Sequence, residues 1–300
     1  MTSQALIFDS ALLARRRDRI AEEIDGHDFL LQRVADDLAE RLGVVRRAFP
    51  VAVDLGAHHG IVGRRIGGLA GTERLVSIEA APRLLARCSG ERIAGDAEAL
   101  PLAEASVDLV VSGLSLQTIN DLPGALVQIR RALRPDGLML AAMLGGGTLR
   151  ELRETFLAAE AEVEGGASPR VAPFADVRDL GGLLQRAGFA LPVADSDTVQ
   201  VAYPTPLALF QELKAMGCGN VLVGRRRSPL RRTTLARAAA IYAERFSRAD
   251  GRVTATFEIV TLTGWAPHES QQQPLRPGSA KISLTEVLGK RESGPDEPSR

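Results

Sequence analysis

The sequence predicts an α/β fold in which a mostly parallel β-sheet carries helices on both faces. The main observation is that short apolar runs alternate with longer amphipathic stretches over the first half of the chain, a pattern typical of strands joined by crossover helices. With 300 residues, 45% of them hydrophobic, the chain has enough apolar sequence for one large domain with additions. This composition excludes wholly disordered and fibrous proteins.

Charge and cysteine content narrow the class of protein. Thirty-seven basic residues balance thirty-seven acidic ones, so no overall charge attracts nucleic acid or an anionic membrane. No apolar run reaches the roughly 18 residues of a membrane helix, and the N-terminus lacks the apolar centre of a signal peptide. Cys88 and Cys218 lie far apart and form neither a CxxC pair nor a disulfide framework. We therefore expect a cytoplasmic protein without stable membrane insertion.

The first elements are helical. Apolar residues recur at helical spacing over residues 10–42, and Gly26 predicts a break between two helices. The basic run Arg15-Arg16-Arg17-Asp18-Arg19 lies in the first helix, and we interpret it as a solvated helix face.

The alternating region follows these helices. Strands are predicted at residues 51–55, 75–78, 107–111 and 138–143. The helices between them are predicted at residues 61–69, 82–88 and 122–133. The sequence Pro135-Asp136-Gly137 predicts a turn that separates the last of these helices from the strand after it.

The second half of the chain predicts further elements and an insertion. Helices are expected at residues 148–164 and 174–187, the second ended by Gly188 as a C-cap. Two later strands, at residues 198–203 and 256–264, are separated by about fifty arginine-rich residues, too many for a hairpin loop. We predict that residues 204–253 form a helical insertion. The chain then divides into an N-terminal helical segment (1–45), one domain (46–278) and a tail (279–300) whose end is expected to be disordered.

The strongest local signal for function is the run from Val51 to Gly60. A buried strand ends near Asp54, and Gly56 and Gly60 frame a turn into a helix, which lets the backbone approach a nucleotide-like ligand. Glu79 ends the next predicted strand, nineteen residues after Gly60, where an acidic side chain can accept hydrogen bonds from ribose hydroxyls. Asp96 follows the next apolar stretch and is placed to accept a hydrogen bond from an adenine amino group.

These residues resemble the class I S-adenosylmethionine-dependent methyltransferase fold. The stretch Asp54-Leu-Gly56-x-x-x-Gly60 is similar to its first motif, Glu79 to its ribose-binding acid and Asp96 to its adenine-side acid. The resemblance implies a Rossmann-like, seven-stranded, mostly parallel sheet whose last strand is antiparallel. It also implies S-adenosyl-L-methionine as the cofactor, bound by Asp54, Gly56, Gly60, Glu79, Asp96 and Ser112.

A narrower resemblance covers residues 7–288, nearly the whole chain. The chain is similar to the bacterial relatives of the mitochondrial complex I assembly factor with a methyltransferase fold. Matching stretches include Ile7-Phe8-Asp9, Leu114-Ser115-Leu116, Asn120-Asp121-Leu122-Pro123, Gly145-Gly146, Glu164-Gly165-Gly166, Gly264-Trp265 and Gly278-Ser279-Ala280. The resemblance implies a protein substrate, a subunit of respiratory complex I, and hydroxylation of an arginine as in the mitochondrial member.

The chain departs from the family pattern at two places. The family usually has cysteine and glycine where Ala57 and His58 stand, and often His-Trp where Gln117 and Thr118 stand. We expect a side chain at position 58 to crowd the methionine end of the cofactor or to open the loop, because only glycine tolerates every backbone conformation.

Other candidate residues have a structural and a functional interpretation. Adjacent histidines seldom bind one ion, so His58 and His59 are interpreted as hydrogen-bonding loop residues and no metal is predicted. The cluster Arg225-Arg226-Arg227, Arg231 and Arg232 is interpreted as solvated helix ends, with an acidic partner or a phosphopantetheine group as the alternative. Trp265 and His268 are interpreted as a packed side chain and a surface side chain, although the family resemblance implies a substrate-side role for His268, Glu269 and Gln271.

Three hypotheses for function follow. The first is an S-adenosylmethionine-dependent enzyme that modifies a protein arginine in complex I assembly. The second is a small-molecule or carrier-protein methyltransferase, because residues 206–217 also resemble the malonyl-carrier methyltransferase of biotin synthesis. The third is a non-catalytic assembly chaperone whose cofactor loop no longer binds. Methyl transfer depends mainly on positioning, so no catalytic base is assigned; Asn120 and Asp121 are the nearest polar candidates.

Overall fold

The computed structural model describes residues 6–272 of the chain. The chain divides into two compact units, Met1–Pro267 and His268–Arg300. The described part of the second unit is a turn in which the Gln271 N–H donates to the His268 carbonyl (3.2 Å). The predicted tail at residues 279–300 lies outside the described residues, and the predicted domain limits stay a prediction.

Residues 6–267, the described part of the first unit, contain seven strands with helices on both sides of them. The strands are β1 (Val51–Leu55), β2 (Arg74–Glu79), β3 (Glu91–Ala94), β4 (Val107–Gly113), β5 (Leu133–Leu144), β6 (Ala190–Tyr203) and β7 (Val253–Trp265). The helices are α1 (Ser10–Ile20), α2 (Phe29–Gly43), α3 (Ile61–Ile66), α4 (Pro82–Leu85), α5 (Leu122–Ala132), α6 (Arg150–Glu164), α7 (Val177–Arg186), α8 (Pro206–Ala215) and α9 (Arg232–Phe246). No helix within residues 6–272 has the length and apolar character needed to cross a membrane.

The strands form one sheet in the order β3-β2-β1-β4-β5-β7-β6. β1 to β5 pair in parallel, whereas β7 is antiparallel to both of its neighbours. This topology confirms the predicted seven-stranded sheet with an antiparallel last strand. Because the first five strands are parallel, the ends of β1, β2 and β4 meet at one edge of the sheet.

Successive strand residues pack against different helix layers. Leu109 and Leu140 lie in a cluster with α2, α6 and α9. Their neighbours Val110 and Met139 lie in a second cluster with α5 and α7. Both faces of the central strands are therefore buried, as expected for parallel strands with near-continuous apolar sequence.

The two predicted N-terminal helices are present as α1 and α2, separated by a 3-10 turn at Ile24–Gly26. Helix α2 buries Leu30, Val34, Leu38 and Leu42, which lie on one face because they are four residues apart. Two helices also lie between β6 and β7, as the predicted insertion requires.

Residues 135–137, predicted as a turn before the strand, lie inside strand β5. Val107 pairs with Leu133 and Leu109 with Leu138, so β5 holds three more residues than β4 over the same length. The extra residues bulge, with Asp136 at φ 66°. Proline and glycine signals mark a bulge as well as a turn, and this explains the error.

Strand β6 is longer than the strand predicted at residues 198–203. The prediction was too short because the first half of β6 is polar. Asp195 and Asp197 are poor strand formers, and the sequence therefore predicted a strand only from residue 198. In the structure, Arg41 forms a bidentate pair with Asp195 (2.8 Å for both bonds), and Arg33 binds Asp197 at 3.0 Å. These contacts with α2 stabilise a stretch of low strand propensity.

Helix α7 ends as predicted at Gly188, which has φ 82°. The Gly188 N–H donates to the Gln185 carbonyl (3.0 Å) and the Phe189 N–H to the Leu184 carbonyl (3.2 Å). This pair of bonds is a Schellman motif, which needs a residue in the left-handed conformation. The helix starts at Val177 rather than at residue 174, because Asp176 caps it by accepting the Arg178 N–H (2.8 Å).

The C-cap permits a paired test of backbone conformation. Gly188→Ala should lower the free energy of unfolding by about 1 kcal/mol, because alanine is strained at positive φ. Gly182→Ala, inside the same helix, should raise it by about 0.5–1 kcal/mol; a Cβ there meets only the end of the flexible Arg186 side chain, at 3.4 Å. Urea denaturation measures both changes, and equal effects of the two substitutions would contradict this account of the helix end.

Candidate functional site

The loop between β1 and α3 is tied to the neighbouring strand. The N–H groups of Gly56 and Ala57 both donate to the Ile78 carbonyl, at 2.8 and 3.0 Å. Gly56 has φ 67°, and a Cβ there would collide with the Ser115 hydroxyl. Gly60 has φ 80°, and a Cβ there would lie 3.1 Å from the Cys88 Cα. Both predicted glycines are therefore required by the backbone path and close packing.

Asp54 anchors helix α3 from below the loop. It is fully buried, and its Oδ2 accepts the Gly63 N–H at 2.9 Å, which satisfies one of the free N–H groups of the first helical turn. Burial raises the pKa of Asp54 to about 7, with a smaller contribution from the charge of Glu79. The buried Ser112 hydroxyl similarly donates to the Leu55 carbonyl (2.7 Å). Direct contact of either residue with a cofactor stays a prediction.

Glu79 lies where β2 ends and is 1% exposed. Its Oε1 accepts the Ala81 N–H and its Oε2 accepts the His58 N–H, each at 3.0 Å. The Arg17 Nη1 lies 3.5 Å from the same Oε2. One carboxylate thus joins the end of β2, the glycine loop and helix α1.

A cleft opens above these groups at the carboxyl ends of the strands. It holds about 510 Å³ of atom-free space, counting its open mouth, and its wall includes Gly56, Glu79, Asp96, Ser115 and Arg17. Asp96 is exposed, and its Oδ1 accepts the Glu98 N–H at 2.8 Å. Three of the six predicted cofactor residues therefore line one cleft, where open α/β sheets bind ligands. The other three, Asp54, Gly60 and Ser112, are buried and are not among the described residues of the cleft wall.

Arg17 is a residue whose role sequence reasoning missed. It is 9% exposed, and so the interpretation of its basic run as a solvated face is wrong for this residue. The buried Arg17 guanidinium lies beside the Glu79 carboxylate, because a buried charge needs an opposite charge or hydrogen bonds nearby. A signal was present, because Arg17 lies in register with Leu13, Ile20 and Ile24 on the apolar stripe of the first helices.

A second, larger cavity adjoins the cleft. It holds about 1160 Å³ of atom-free space, counting its mouth, and shares Leu13, Arg17 and Thr118 with the cleft wall. Most of its wall is apolar and includes Phe8, Leu31, Leu114, Leu149, Phe174 and Phe257. A mostly apolar cavity with a few polar groups in its wall is typical of small-molecule binding sites.

The N-terminal segment and the loop after α8 form one side of this cavity. Phe8 pairs antiparallel with Leu222, and the Asp9 N–H donates to the Val221 carbonyl at 2.8 Å. Asn120 holds the same segment, because its Oδ1 accepts the N–H groups of Ile7 and Phe8, both at 2.8 Å.

The two nearest polar candidates for a catalytic base, Asn120 and Asp121, both bind backbone groups. Asn120 binds the N-terminal segment, and Asp121 caps helix α5 by accepting the Gly124 N–H at 2.9 Å. Neither is among the described residues of the two cavity walls.

The adjacent histidines point to different partners. His59 is fully buried, and its Nε2 lies 2.9 Å from the Asp28 Oδ2. Asp25 completes a compact His/Asp group, but both of its oxygens bind Arg87 at 2.6 Å. An arginine therefore already neutralises the acid that a cation would need. The predicted lack of a metal stays a prediction.

His58 faces the larger cavity rather than the cleft. Its Nε2 lies 3.4 Å from the Leu114 carbonyl oxygen. Burial, followed by the charges of Arg17 and His59, lowers the pKa of His58 well below its usual range, so the ring is neutral at pH 7. The residue has φ 52°, and the bonds from Gly56 and Ala57 to β2 are retained despite this side chain.

The remaining candidates have partners within the described part of the chain. Arg225 pairs with Asp9 at 3.2 Å, and Glu164 pairs with Arg226 at 3.0 Å and Arg231 at 3.5 Å. Part of the arginine cluster is therefore engaged in ion pairs within the chain.

The Trp265 ring packs against the Phe49 ring, with 6.2 Å between the ring centres. His268 is exposed, and its Nδ1 lies 2.7 Å from the Ser270 hydroxyl. A substrate-side role for His268, Glu269 and Gln271 stays a prediction.

Comparison with known protein families and solved structures identifies the fold of this chain as that of methyltransferases. Residues 53–141 match the family described as "Methyltransferase domain". A phosphoethanolamine N-methyltransferase of Haemonchus contortus, solved with S-adenosyl-L-methionine, shares the fold at 15% identity (TM-score 0.52; 83% of this chain and 57% of that one).

Two groups of relatives cover almost the whole chain. The zebrafish (Danio rerio) protein named arginine-hydroxylase NDUFAF5, mitochondrial, is 39% identical over 96% of this chain and 92% of its own. A malonyl-[acyl-carrier protein] O-methyltransferase of Methylovorus is 32% identical over 89% of this chain and 92% of its own. The resemblance identified in the sequence is confirmed: the chain belongs to the arginine-hydroxylase NDUFAF5 family and has the class I methyltransferase fold.

Proposed function

We propose that this protein binds S-adenosyl-L-methionine in the cleft and modifies an arginine side chain of a protein, a subunit of respiratory complex I. The observation that carries the proposal is the shared wall of Leu13, Arg17 and Thr118 between the cleft and the larger cavity. A group held in the cleft and a side chain held in the cavity would be neighbours. The relationship to an arginine hydroxylase supports arginine as the acceptor.

The residues of the cleft fit the cofactor. Each oxygen of a carboxylate has two acceptor positions, and Glu79 Oε1 uses one of them for Ala81, which leaves capacity for a ribose hydroxyl. Asp96 is exposed in the cleft wall and is available for the adenine side, and Gly56 offers backbone without a side chain. Once bound, the cofactor supplies a reactive sulfonium group.

The protein itself positions the two reactants and excludes water from them. Helix α1 closes both spaces from one side through Leu13 and Arg17, and the apolar wall surrounds the stem of a long side chain. Alignment of two bound reactants can lower a barrier by several kcal/mol without a catalytic base. Addition of a hydroxyl group instead of a methyl group would require an oxidant as co-reactant.

The malonyl-carrier alternative is supported by the second group of relatives. Its substrate presents a carboxylate, which would need a cation in the cavity. The two arginines of that wall already face Glu79 (Arg17, 3.5 Å) and Glu160 (Arg170 Nε, 2.7 Å). This pairing favours the arginine acceptor over the carboxylate acceptor.

Calorimetry with S-adenosyl-L-methionine tests the cofactor site. We expect micromolar binding by the wild-type protein and at least a tenfold loss in Glu79→Ala, because ribose hydrogen bonds of about 1–3 kcal/mol are removed. Glu91→Ala is the matched control, since Glu91 is an exposed acid on β3 paired with Arg74. Circular dichroism of each variant separates lost binding from lost folding.

No binding by the wild-type protein at millimolar ligand would contradict an active enzyme and favour the assembly chaperone. In that case S-adenosyl-L-methionine binding is also measured for His58→Gly. Restored binding in this variant would show that the loop side chain had blocked the site.

Mass spectrometry of candidate acceptors tests the reaction. We expect an arginine of a purified complex I subunit to gain one methyl group when the protein and S-adenosyl-L-methionine are present, or one oxygen atom when dioxygen and a two-electron reductant are supplied as well. An acyl-carrier protein in the same experiment is the competing substrate. Modification of the carrier alone would contradict the proposal and support the malonyl-carrier activity.

A further inference from the structure

Two basic stretches that lie far apart in the sequence meet on one surface. Helix α1 carries Arg15, Arg16 and Arg19, and the loop after α8 carries Arg225. The helix and the loop are in direct contact, because the Arg16 Nη1 donates to the Asn220 carbonyl at 2.8 Å. We call the four arginine side chains the arginine patch.

The arginine patch has more positive charge than the acids around it balance. Asp9 pairs with Arg225 at 3.2 Å, and its charge also reaches Arg15. Asp18, on the same helix, is turned toward α4, where its Oδ1 accepts the Arg83 N–H at 2.9 Å. Within residues 6–272, Asp9 is therefore the one acid that forms an ion pair with the patch.

The like charges of the patch act on one another. Burial, followed by the charges of Arg225 and Arg19, lowers the pKa of Arg16. Cations held close together in a folded chain repel one another, and an anion bound among them relieves this repulsion. The patch therefore attracts acidic groups locally, although the formal net charge of the chain is zero.

The patch is accessible from outside the molecule. Arg15 and Arg19 are both exposed and, being four residues apart, share one face of α1. Leu13 and Arg17 share another face of the same helix, which lines the larger cavity. The patch therefore lies on the outer side of a wall of that cavity, and the helix between them is about 10 Å across.

Exposed apolar side chains adjoin the arginine patch. Leu6, Ile7 and Val223 are 61%, 46% and 40% exposed. The Val223 N–H donates to the Ile7 carbonyl at 2.8 Å, and two residues further along each segment stand Asp9 and Arg225. Arginine is enriched in protein–protein interfaces, whose centres are apolar. The composition of this surface is thus typical of a site that binds another protein.

We propose that the arginine patch, with these three apolar side chains beside it, is a docking surface for an acidic segment of a partner protein. The inference rests on the proposed function, under which the partner is the protein substrate. Guanidinium groups bind carboxylates through paired N–H donors. Because contacts between exposed charges mainly accelerate association, the docking surface captures the partner and brings it next to the larger cavity.

An acidic protein fits the docking surface better than two other anionic partners do. Single-stranded nucleic acid binds through stacking on aromatic side chains, whereas Phe8, the aromatic residue of the paired segment, is 4% exposed. A helix that binds a membrane surface turns its apolar face to the lipid. Helix α1 instead turns Leu13 toward the larger cavity and its arginines outward.

Fluorescence anisotropy with the full-length protein tests the docking surface without turnover. The probe is a labelled peptide in which glutamate and leucine alternate, and the same peptide with glutamine in place of glutamate is its neutral control. We expect the wild-type protein to prefer the acidic peptide and to bind it more weakly as salt is raised from ~0.05 to ~0.5 M. Arg15→Glu combined with Arg19→Glu should weaken this binding about tenfold, because two attractive contacts become repulsive.

A second double variant controls for the change in net charge. Arg178→Glu combined with Arg186→Glu reverses two exposed arginines of another helix, α7. It alters the net charge by the same amount and should leave the affinity for the acidic peptide unchanged. Circular dichroism of both double variants verifies that the fold is retained.

Equal affinities of the wild-type protein and the α1 double variant for the acidic peptide would overturn the inference, as would tighter binding of the neutral peptide. Vesicles containing phosphatidylglycerol and a labelled oligoribonucleotide are titrated in parallel. Preference for either of them over the acidic peptide would overturn the inference in favour of a lipid or a nucleic-acid surface.

Titration of the same samples with S-adenosyl-L-methionine separates this inference from the proposed function. A cofactor that does not bind, together with patch-dependent binding of the acidic peptide, would count against the proposed function and still support the docking surface. Cofactor binding without patch-dependent peptide binding would overturn the docking surface alone.

Discussion

The buried carboxylate of Glu79 is the constraint on which the rest of the site depends. A buried charge is tolerated only when hydrogen bonds and an opposite charge surround it. Here two backbone N–H groups and the Arg17 guanidinium meet this requirement. Because these groups come from the glycine loop, the end of β2 and α1, satisfying one side chain also positions the N-terminal helix over the sheet.

The position of α1 in turn shapes both the cleft and the larger cavity. Leu13 and Arg17 line both the cleft and the larger cavity, so one helix contributes to the walls of both. The segment before α1 is held by Asn120 and by pairing with Leu222. The additions to the methyltransferase sheet, one at the N-terminus and one between β6 and β7, thus form one side of the larger cavity together.

The departures from the family pattern are connected in three dimensions. His58 and Gln117 lie in different loops, yet both contact the Leu114 carbonyl. His58, Leu114 and Leu149 all have positive φ and all line the larger cavity. A non-glycine residue in this conformation costs on the order of 1–2 kcal/mol, and such strain is concentrated at functional sites.

The sequence by itself determined the order of the helices and of six of the seven strands, the glycine loop and the acid at the end of β2, because periodicity and motif spacing are local properties. It did not indicate β3, which has only four, mostly exposed residues. It also predicted the cap at Gly188, whose conformation a single residue type supplies. Only the tertiary structure decided that Arg17 is buried, that β5 bulges rather than turns, and that Asn120 binds a segment more than a hundred residues away. Each of these outcomes depends on a partner from another part of the chain, and no local pattern specifies which distant group will satisfy a charge or a hydrogen bond.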